Sequence, residues 1–300
     1  MSDYIAVDWG SSNFRAMRVN RGEVVKSVAS PKGVARTPRE ALGVILREEL
    51  ARLGDDYDAS TPVILCGMIG SNIGIVDAGY QSLPLSFRAL TARGVVLEGV
   101  LPNPLTVRPG ICSPSEHEIC RGEEMQLAGA LTLCDARVFA AVGTHSKWLR
   151  VDRHQQQVIS LRTLMTGELY HLVLNHSVVG RGLPEQRFDD DRFQDGVETA
   201  IAIAQGNAGL VSELFRCRGR YILGEFDAAC ASASAWLSGL LIGHEILCGH
   251  PREETVCFIG AASLLPRYQQ ACELLNLPCL TLEAETALIA GLNKVFSDAV

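Results

Sequence analysis

The sequence predicts an α/β chain of two domains with related topology. Three observations point there. Strands and amphipathic helices alternate along the 300 residues, an antiparallel three-strand meander opens each half, and a Gly/Ser/Thr-rich turn joins the first two strands of each meander. Gly10 and Gly143 are the matching positions, with Ser11 and Thr144 behind them. The repetition is one of structure, with little sequence identity.

YIAVD (4–8) reads as a strand, followed by the turn-rich WGSSN and a second strand, FRAMRV. Asn20-Arg21-Gly22-Glu23 then turns the chain into a third strand, VVKSVA. Thr37 is a candidate helix N-cap with Pro38 at the first helical position, and Ala41, Leu42, Ile45, Leu46 and Leu50 keep helical spacing to about Leu53. Pro62 to Cys66 reads as a buried strand ending at Gly67. From about 86 to 116 the pattern weakens, with short strands broken by Pro102, Pro104, Pro109 and Pro114. EEMQLAGALT (123–132) is helical. The second meander follows: a strand over 137–142, the turn GTHSK, the strand WLRV, a polar turn at 152–156 and the strand QVISLRT. Helices are expected at 191–215, 228–248, 262–276 and 284–296, and strands at 220–224, 255–259 and 278–282. The boundary falls near 130–136, giving domains of 1–132 and 133–283, with the last helix, 284–300, packing back on the first. Ligands of such a chain are expected in the cleft between the domains.

Hydrophobic residues make up 47% of the chain and charged ones 20%, which suffices for large cores without disulfides or structural metal. Twenty-seven basic residues against 34 acidic ones give a net charge of −7, which argues against a general nucleic-acid binder. The ten cysteines include no C-x-x-C pair, and several lie in apolar runs, such as Cys66 in PVILCG and Cys257 in TVCFIG. Buried free thiols in a reducing cytoplasm explain this better than a disulfide framework. The start, MSDYIAVD, lacks the basic and apolar stretches of a signal peptide. The most apolar helix candidate, Trp236 to Cys248, is interrupted by Ser238, Gly239, Gly243, His244 and Glu245, and is too short and polar to span a bilayer. A soluble cytoplasmic protein without nucleic-acid or membrane partners is expected; homo-oligomer formation is left open.

The usual nucleotide signatures, G-x-x-x-x-G-K-[ST] and a strand-to-helix G-x-G-x-x-G, are missing. What remains is the pair of turns, Gly10-Ser11-Ser12-Asn13 and Gly143-Thr144-His145, with Lys147 just beyond the second. Glycine admits phosphate close to the backbone, and the following N–H and hydroxyl groups donate to its oxygens. Asp8 ends the strand before the first turn, placed to hold Mg²⁺ through water. Hairpins favour these residue types in any case, so it is the matched pair that carries weight.

VDWGSSNFR (7–15), VGTHSKW (142–148) and CFIGAASLL (257–265) resemble the two phosphate motifs and the adenosine motif of the actin-like, sugar-kinase and heat-shock-chaperone ATPase superfamily. AVDWGSSNFRA, CGMIGSNIG, RGEEMQLAGA, GTHSKW, TGELYHLVL, LSGLLIGHE and LPRYQQA resemble, more closely and in order along nearly the whole chain, the 2-dehydro-3-deoxygalactonokinase family. The resemblance implies a two-domain actin-like ATPase (ribonuclease H-like) fold, with substrate and phosphate bound by the first domain and nucleotide by the second. It further implies use of ATP and Mg²⁺, and phosphorylation of 2-dehydro-3-deoxy-D-galactonate on its terminal 6-hydroxyl in galactonate breakdown.

A sugar hydroxyl is a poor nucleophile and profits from a carboxylate aimed at it. Related carbohydrate kinases carry a catalytic Asp in a Gly-Asp context; this chain has Gly122-Glu123, and Glu123 is preferred as the base. Glu124 is its alternative and a candidate substrate ligand, while helix N-terminal acids stabilised by the macrodipole are the bland account of both. Arg15 could hold the substrate carboxylate or a transferring phosphate, or be a solvent-facing strand arginine. Ser71 and Asn72 are candidates for substrate hydroxyls, or simply turn formers. Lys147 and His145 could meet phosphate, and the small residues Gly260 and Ala261 could admit adenine, although close strand–helix packing needs the same residues. His244-Glu245 lacks the second histidine of a zinc helix and reads as the polar edge of a packed helix. Asp189-Asp190-Asp191 could attract a cation but reads as a solvated loop before a helix, and Glu168 and His171 receive no role from spacing. The competing readings are a kinase for another sugar or sugar acid and an actin-like ATPase module that is not a kinase.

Overall fold

Apolar residues at nearly every position make Tyr4–Trp9 (β1) a strand buried on both faces, so it must sit in the middle of a sheet. In the computed structural model, which describes residues 3–54, 58–92, 94–226 and 232–297, it does. β1 pairs antiparallel with Phe14–Asn20 (β2), which pairs with Glu23–Ser30 (β3), and the exposed alternation of β3 marks it as the edge. After helix α1 (Leu42–Ala51), strand β4 (Val63–Cys66) returns parallel to β1. Short elements follow: β5 (Tyr80–Ser82), β6 (Leu85–Ser86), α2 (Phe87–Ala92), β7 (Val95–Leu97), β8 (Leu105–Val107), β9 (Gly110–Ser113) and β10 (Glu118–Cys120). The first sheet has the order β3-β2-β1-β4-β8-β7, with β10-β9-β5 as a small sheet beside it. Helix α3 (Glu123–Leu133) completes this stretch.

The second half repeats the plan. Val138–Ala141 (β11), Ser146–Asp152 (β12) and Gln157–Leu164 (β13) form its meander. Helices α4 (Thr166–His176), α5 (Asp190–Ala204), α6 (Leu210–Leu223) and α7 (Ala233–Gly249) precede β14 (Val256–Gly260), α8 (Leu265–Leu275), β15 (Cys279–Glu283) and α9 (Ala284–Ser297). The order β13-β12-β11-β14-β15 mirrors β3-β2-β1-β4-β8, with β14 parallel to both β11 and β15. By contacts the chain divides into two compact units: Met1–Asp135 with Leu149–Arg162 and Ala284–Val300, and Ala136–Trp148 with Thr163–Glu283. In the first unit α9 lies against α3 so closely that a Cβ on Gly129 would stand 1.8 Å from the Ala287 carbonyl oxygen. The Tyr4 hydroxyl donates to Asn293 at 2.9 Å, tying the same helix to β1.

Three local expectations are corrected. Helix α1 begins at Leu42, because the Thr37 hydroxyl donates back to the Gly33 carbonyl and Pro38 leads only into a 3₁₀ turn at Arg39–Ala41. The helix expected over 191–215 is two, broken after Gln205 at Gly206, whose φ of 80° is costly for other residues. Residues 220–224 form no strand. They are the last turn of α6, which stops at the left-handed Gly224, and their short apolar run fits either structure. Asp189 is the N-cap of α5, its carboxylate accepting the Arg192 N–H at 2.9 Å. Cys66, Cys120, Cys217, Cys257 and Cys272 are buried; Cys230 and the expected helical start at 228–231 lie outside the described residues. Among the described residues no helix is long and apolar enough to cross a membrane.

Candidate active site

The ends of β1 and β4 and the start of α3 converge in the first unit. Asp8 stands opposite Arg15 in the β1–β2 register and beside Cys66 in the β1–β4 register. Gly67, at φ 88°, follows Cys66, and a Cβ there would lie 2.9 Å from the Trp9 carbonyl oxygen and 3.4 Å from Asp8 Oδ1. Gly122, the N-cap of α3, rests against Gly67, so the two glycines let the head of α3 reach the strand ends. The Glu123 carboxylate accepts from the Arg121 backbone N–H at 3.2 Å and from the Cys120 thiol at 3.3 Å. Burial pushes the Asp8 carboxyl up to about 6, Arg15 pulls it back, and the Glu123 charge adds to the rise. The structure therefore brings Asp8, Arg15, Glu123 and Glu124 together. Arg15 also meets Glu285 of α9 at 3.1 Å, both side chains being about half exposed.

Glu124 behaves differently from its neighbour. It is 1% exposed, one oxygen accepts the Gly122 N–H at 2.6 Å, and the other has no partner among the described residues. Burial, then the Glu123 charge, pushes its pKa up to about 8. Its unfolded carboxyl titrates near 4.5, so between those values the folded chain keeps a proton that the unfolded chain gives up. Stability accordingly falls as pH rises through this window and levels off above it. The neutral isostere Glu124→Gln should match wild type near pH 5 and exceed it by on the order of 3–5 kcal/mol at pH 8.5, read from urea midpoints. Equal midpoints at both pH values would show that Glu124 is ionised in the fold. The Cys120 thiol lies within 4.8 Å of both glutamates, but its bond to Glu123 accounts for that, and a protonated Glu124 is a poor metal ligand.

The first turn, 10–13, closes on itself with Gly10 N–H donating to the Asn13 carbonyl. Val34 and Ala35 donate to the Gly10 and Ser11 carbonyls from behind, leaving the Ser11, Ser12 and Asn13 side chains exposed. Ser71 is buried with its hydroxyl on the Met68 carbonyl, while Asn72 is exposed. In the second unit the matching turn, 142–145, has the same length. A Cβ on Gly143 would meet nothing within 4 Å, so the turn faces open space. The head of α4 folds over it: Glu168 N–H donates to the Thr144 carbonyl, and the Glu168 carboxylate bonds His145 Nε2 at 2.6 Å. Lys147 donates to Thr163 at 3.0 Å. Gly260 ends β14 beside Val142, and the exposed Ala261 follows it.

The sequence reads Glu245 as part of the polar edge of a packed helix, and the structure corrects this: the side chain is 1% exposed. It is buried near the C-terminal end of α7, accepting the Trp148 indole N–H at 3.0 Å and the hydroxyls of Ser146 and Tyr268 at 3.1 and 2.8 Å. Burial raises its pKa, and bonds from Thr166, Tyr268, Trp148 and Ser146 draw it back. Ser146 and Thr166 flank the second turn and the head of α4, so this carboxylate anchors both.

Two sheets of one strand order, each carrying an open glycine turn after its first strand, define an actin-like ATPase fold of the sugar-kinase kind. A solved activator of 2-hydroxyisocaproyl-CoA dehydratase from Clostridium difficile, with bound ADPNP, shares that fold at a TM-score of 0.51 and 11% identity, over 99% of this chain and 95% of its own. The chain belongs to the 2-keto-3-deoxy-galactonokinase family, whose model matches residues 8–295. It is 35% identical to the 2-dehydro-3-deoxygalactonokinase of Escherichia coli (strain K12), with 97% of each chain covered. A crystal structure of a Sinorhizobium meliloti protein assigned the same activity superposes with a TM-score of 0.85 at 30% identity, again over 97% of each chain.

Proposed function

We propose that the protein is a cytoplasmic kinase that transfers the γ-phosphoryl group of ATP to the 6-hydroxyl of 2-dehydro-3-deoxy-D-galactonate in galactonate breakdown, releasing ADP. The observation that carries the reading is a half-buried Glu123 fixed at the head of α3, charge-coupled to Asp8 beside an open glycine turn. Substrate identity is drawn from the family. Glu123, held by two donors, accepts the hydroxyl proton as the phosphoryl group transfers. Glu124 is protonated at neutral pH and turned inward, which suits it to shaping the site rather than to taking that proton. Arg15, across the strand pair from Asp8, balances charge on the transferring group, and Ser71 and Asn72 meet substrate hydroxyls.

The Gly10–Asn13 turn of the first unit offers its backbone N–H and hydroxyl donors to phosphate. In the second unit, within 133–283, Gly143, Thr144, His145 and Lys147 receive nucleotide phosphate, and Gly260 and Ala261 leave room for adenine. A recessed Asp8 whose ionisation is hindered by burial and by Glu123 fits a divalent cation, and carboxylate oxygen suits Mg²⁺. Bound there, Mg²⁺ would neutralise phosphate charge. The buried thiols suit a reducing compartment.

A coupled ADP-release assay with Mg·ATP against sugar acids and their neutral sugars tests this. Turnover with 2-dehydro-3-deoxy-D-galactonate, well above every other acceptor, is the expected result. Preference for a different acceptor would overturn the substrate, and ATP binding without turnover of any acceptor would overturn the kinase reading.

A further inference from the structure

Among the described residues, a buried cation of the first unit has unsatisfied donors and no carboxylate partner. Arg15, the guanidinium that the sequence puts forward for a substrate carboxylate, already faces Glu285. Arg108 donates to the Leu90 carbonyl at 2.8 Å and has Glu124 as a charge neighbour. Arg121 is 9% exposed; its Nη2 donates to the Gly79 carbonyl at 3.1 Å and the Tyr80 ring lies 4.3 Å from its Cζ. Its Nε and Nη1 are shut off from solvent and have no acceptor among the described residues. A planar cation held in place with two nitrogens unsatisfied is costly to bury, and the chemistry that answers it is an oxyanion.

Its surroundings say which oxyanion. The Arg121 backbone N–H holds the Glu123 carboxylate, so the residue is joined to the proposed base. Its side chain packs at Gly70, where Nη1 sits 3.1 Å from the place a Cβ would take, and against Gly79 and Tyr80. Tyr80, 42% exposed, covers the guanidinium, and its ring fits because Gly110 has no Cβ, which would stand 2.8 Å from the ring atoms. The first unit thus holds both a carboxylate proposed as the base for a hydroxyl and, through the intervening backbone of Arg121, an orphaned guanidinium packed at Gly70.

We propose that Arg121 is the specificity residue that receives the carboxylate of the sugar acid, a role that rests on the kinase reading above. Neutral sugars are rejected because they leave this guanidinium buried and unanswered.

The test compares kcat and KM for 2-dehydro-3-deoxy-D-galactonate and for its C1 primary amide in wild type, Arg121→Gln, Arg121→Lys and Arg15→Ala. Arg121→Gln should raise KM for the acid about 100-fold with little change in kcat, and should collapse the preference for acid over amide. Arg121→Lys should recover part of the KM loss, and it carries the test if the Gln variant does not fold. Arg15→Ala should lower kcat while keeping the acid-over-amide ratio. An unchanged KM in the Arg121 variants, or equal losses with acid and amide, would overturn the proposal and leave buried water as the partner of the guanidinium. A wild-type protein that turns over neither compound would overturn the substrate reading above, and this proposal with it.

Discussion

Glu123→Gln should lower kcat by about 10²–10⁴-fold while leaving ATP affinity within about a factor of two. The substitution keeps the acceptor oxygen that holds the Arg121 N–H and the Cys120 thiol, so the head of α3 stays in place. What it removes is basicity at the atom that takes the hydroxyl proton. It also removes the charge that helps to push up Asp8, so the Asp8 carboxyl should ionise more readily in the variant. Single-turnover measurements with saturating acceptor read the chemical step directly, and nucleotide titration reads binding. Full turnover by this variant would exclude Glu123 as the base.

Glu245→Leu should cost on the order of 4 kcal/mol of unfolding free energy, and weaken nucleotide binding about tenfold. The carboxylate serves the Ser146, Thr166 and Tyr268 hydroxyls and the Trp148 indole, and leucine leaves the three buried donors, Ser146, Trp148 and Tyr268, unanswered. Glu245→Gln should be milder, about 2 kcal/mol, because one oxygen remains while the amide presents donors to donors. Chemical denaturation gives the first quantity and equilibrium nucleotide titration the second. A leucine variant with wild-type midpoint would mean that the three donors find other acceptors.

The repeated plan was readable because its signals are local: buried strands, tight turns, and helices with clear apolar faces. The paired turns at Gly10 and Gly143 were readable for the same reason. What escaped depends on tertiary contact. Nothing around Thr37 reveals that its hydroxyl turns back to Gly33. The YIL run at 220–224 is apolar enough for a strand and is held in a helix by continuity with the preceding turns. Glu245 had a signal, since a carboxylate inside LSGLLIGHEIL must be buried if that helix is, and hence must be bonded; it was set beside His244 as a failed metal pair instead. Arg121 offered none. An arginine next to Gly122 looks like surface until β10, Gly70 and Tyr80 close around it.

Three tryptophans occur in the chain, and two of them adjoin the glycine turns. Trp9 directly precedes Gly10, fully buried, its indole on the Lys32 carbonyl at 2.7 Å and its ring edge-on to Phe14. Trp148 directly follows Lys147, its indole bonded to Glu245. Each turn is thus wired to a native fluorophore whose emission depends on the field and polarity at its indole. With Trp148 and Trp236 both replaced by Phe the light comes from Trp9 beside the first turn. With Trp9 and Trp236 replaced it comes from Trp148 beside the second. Stopped-flow traces of the two variants can therefore time the arrival of each ligand without any attached dye.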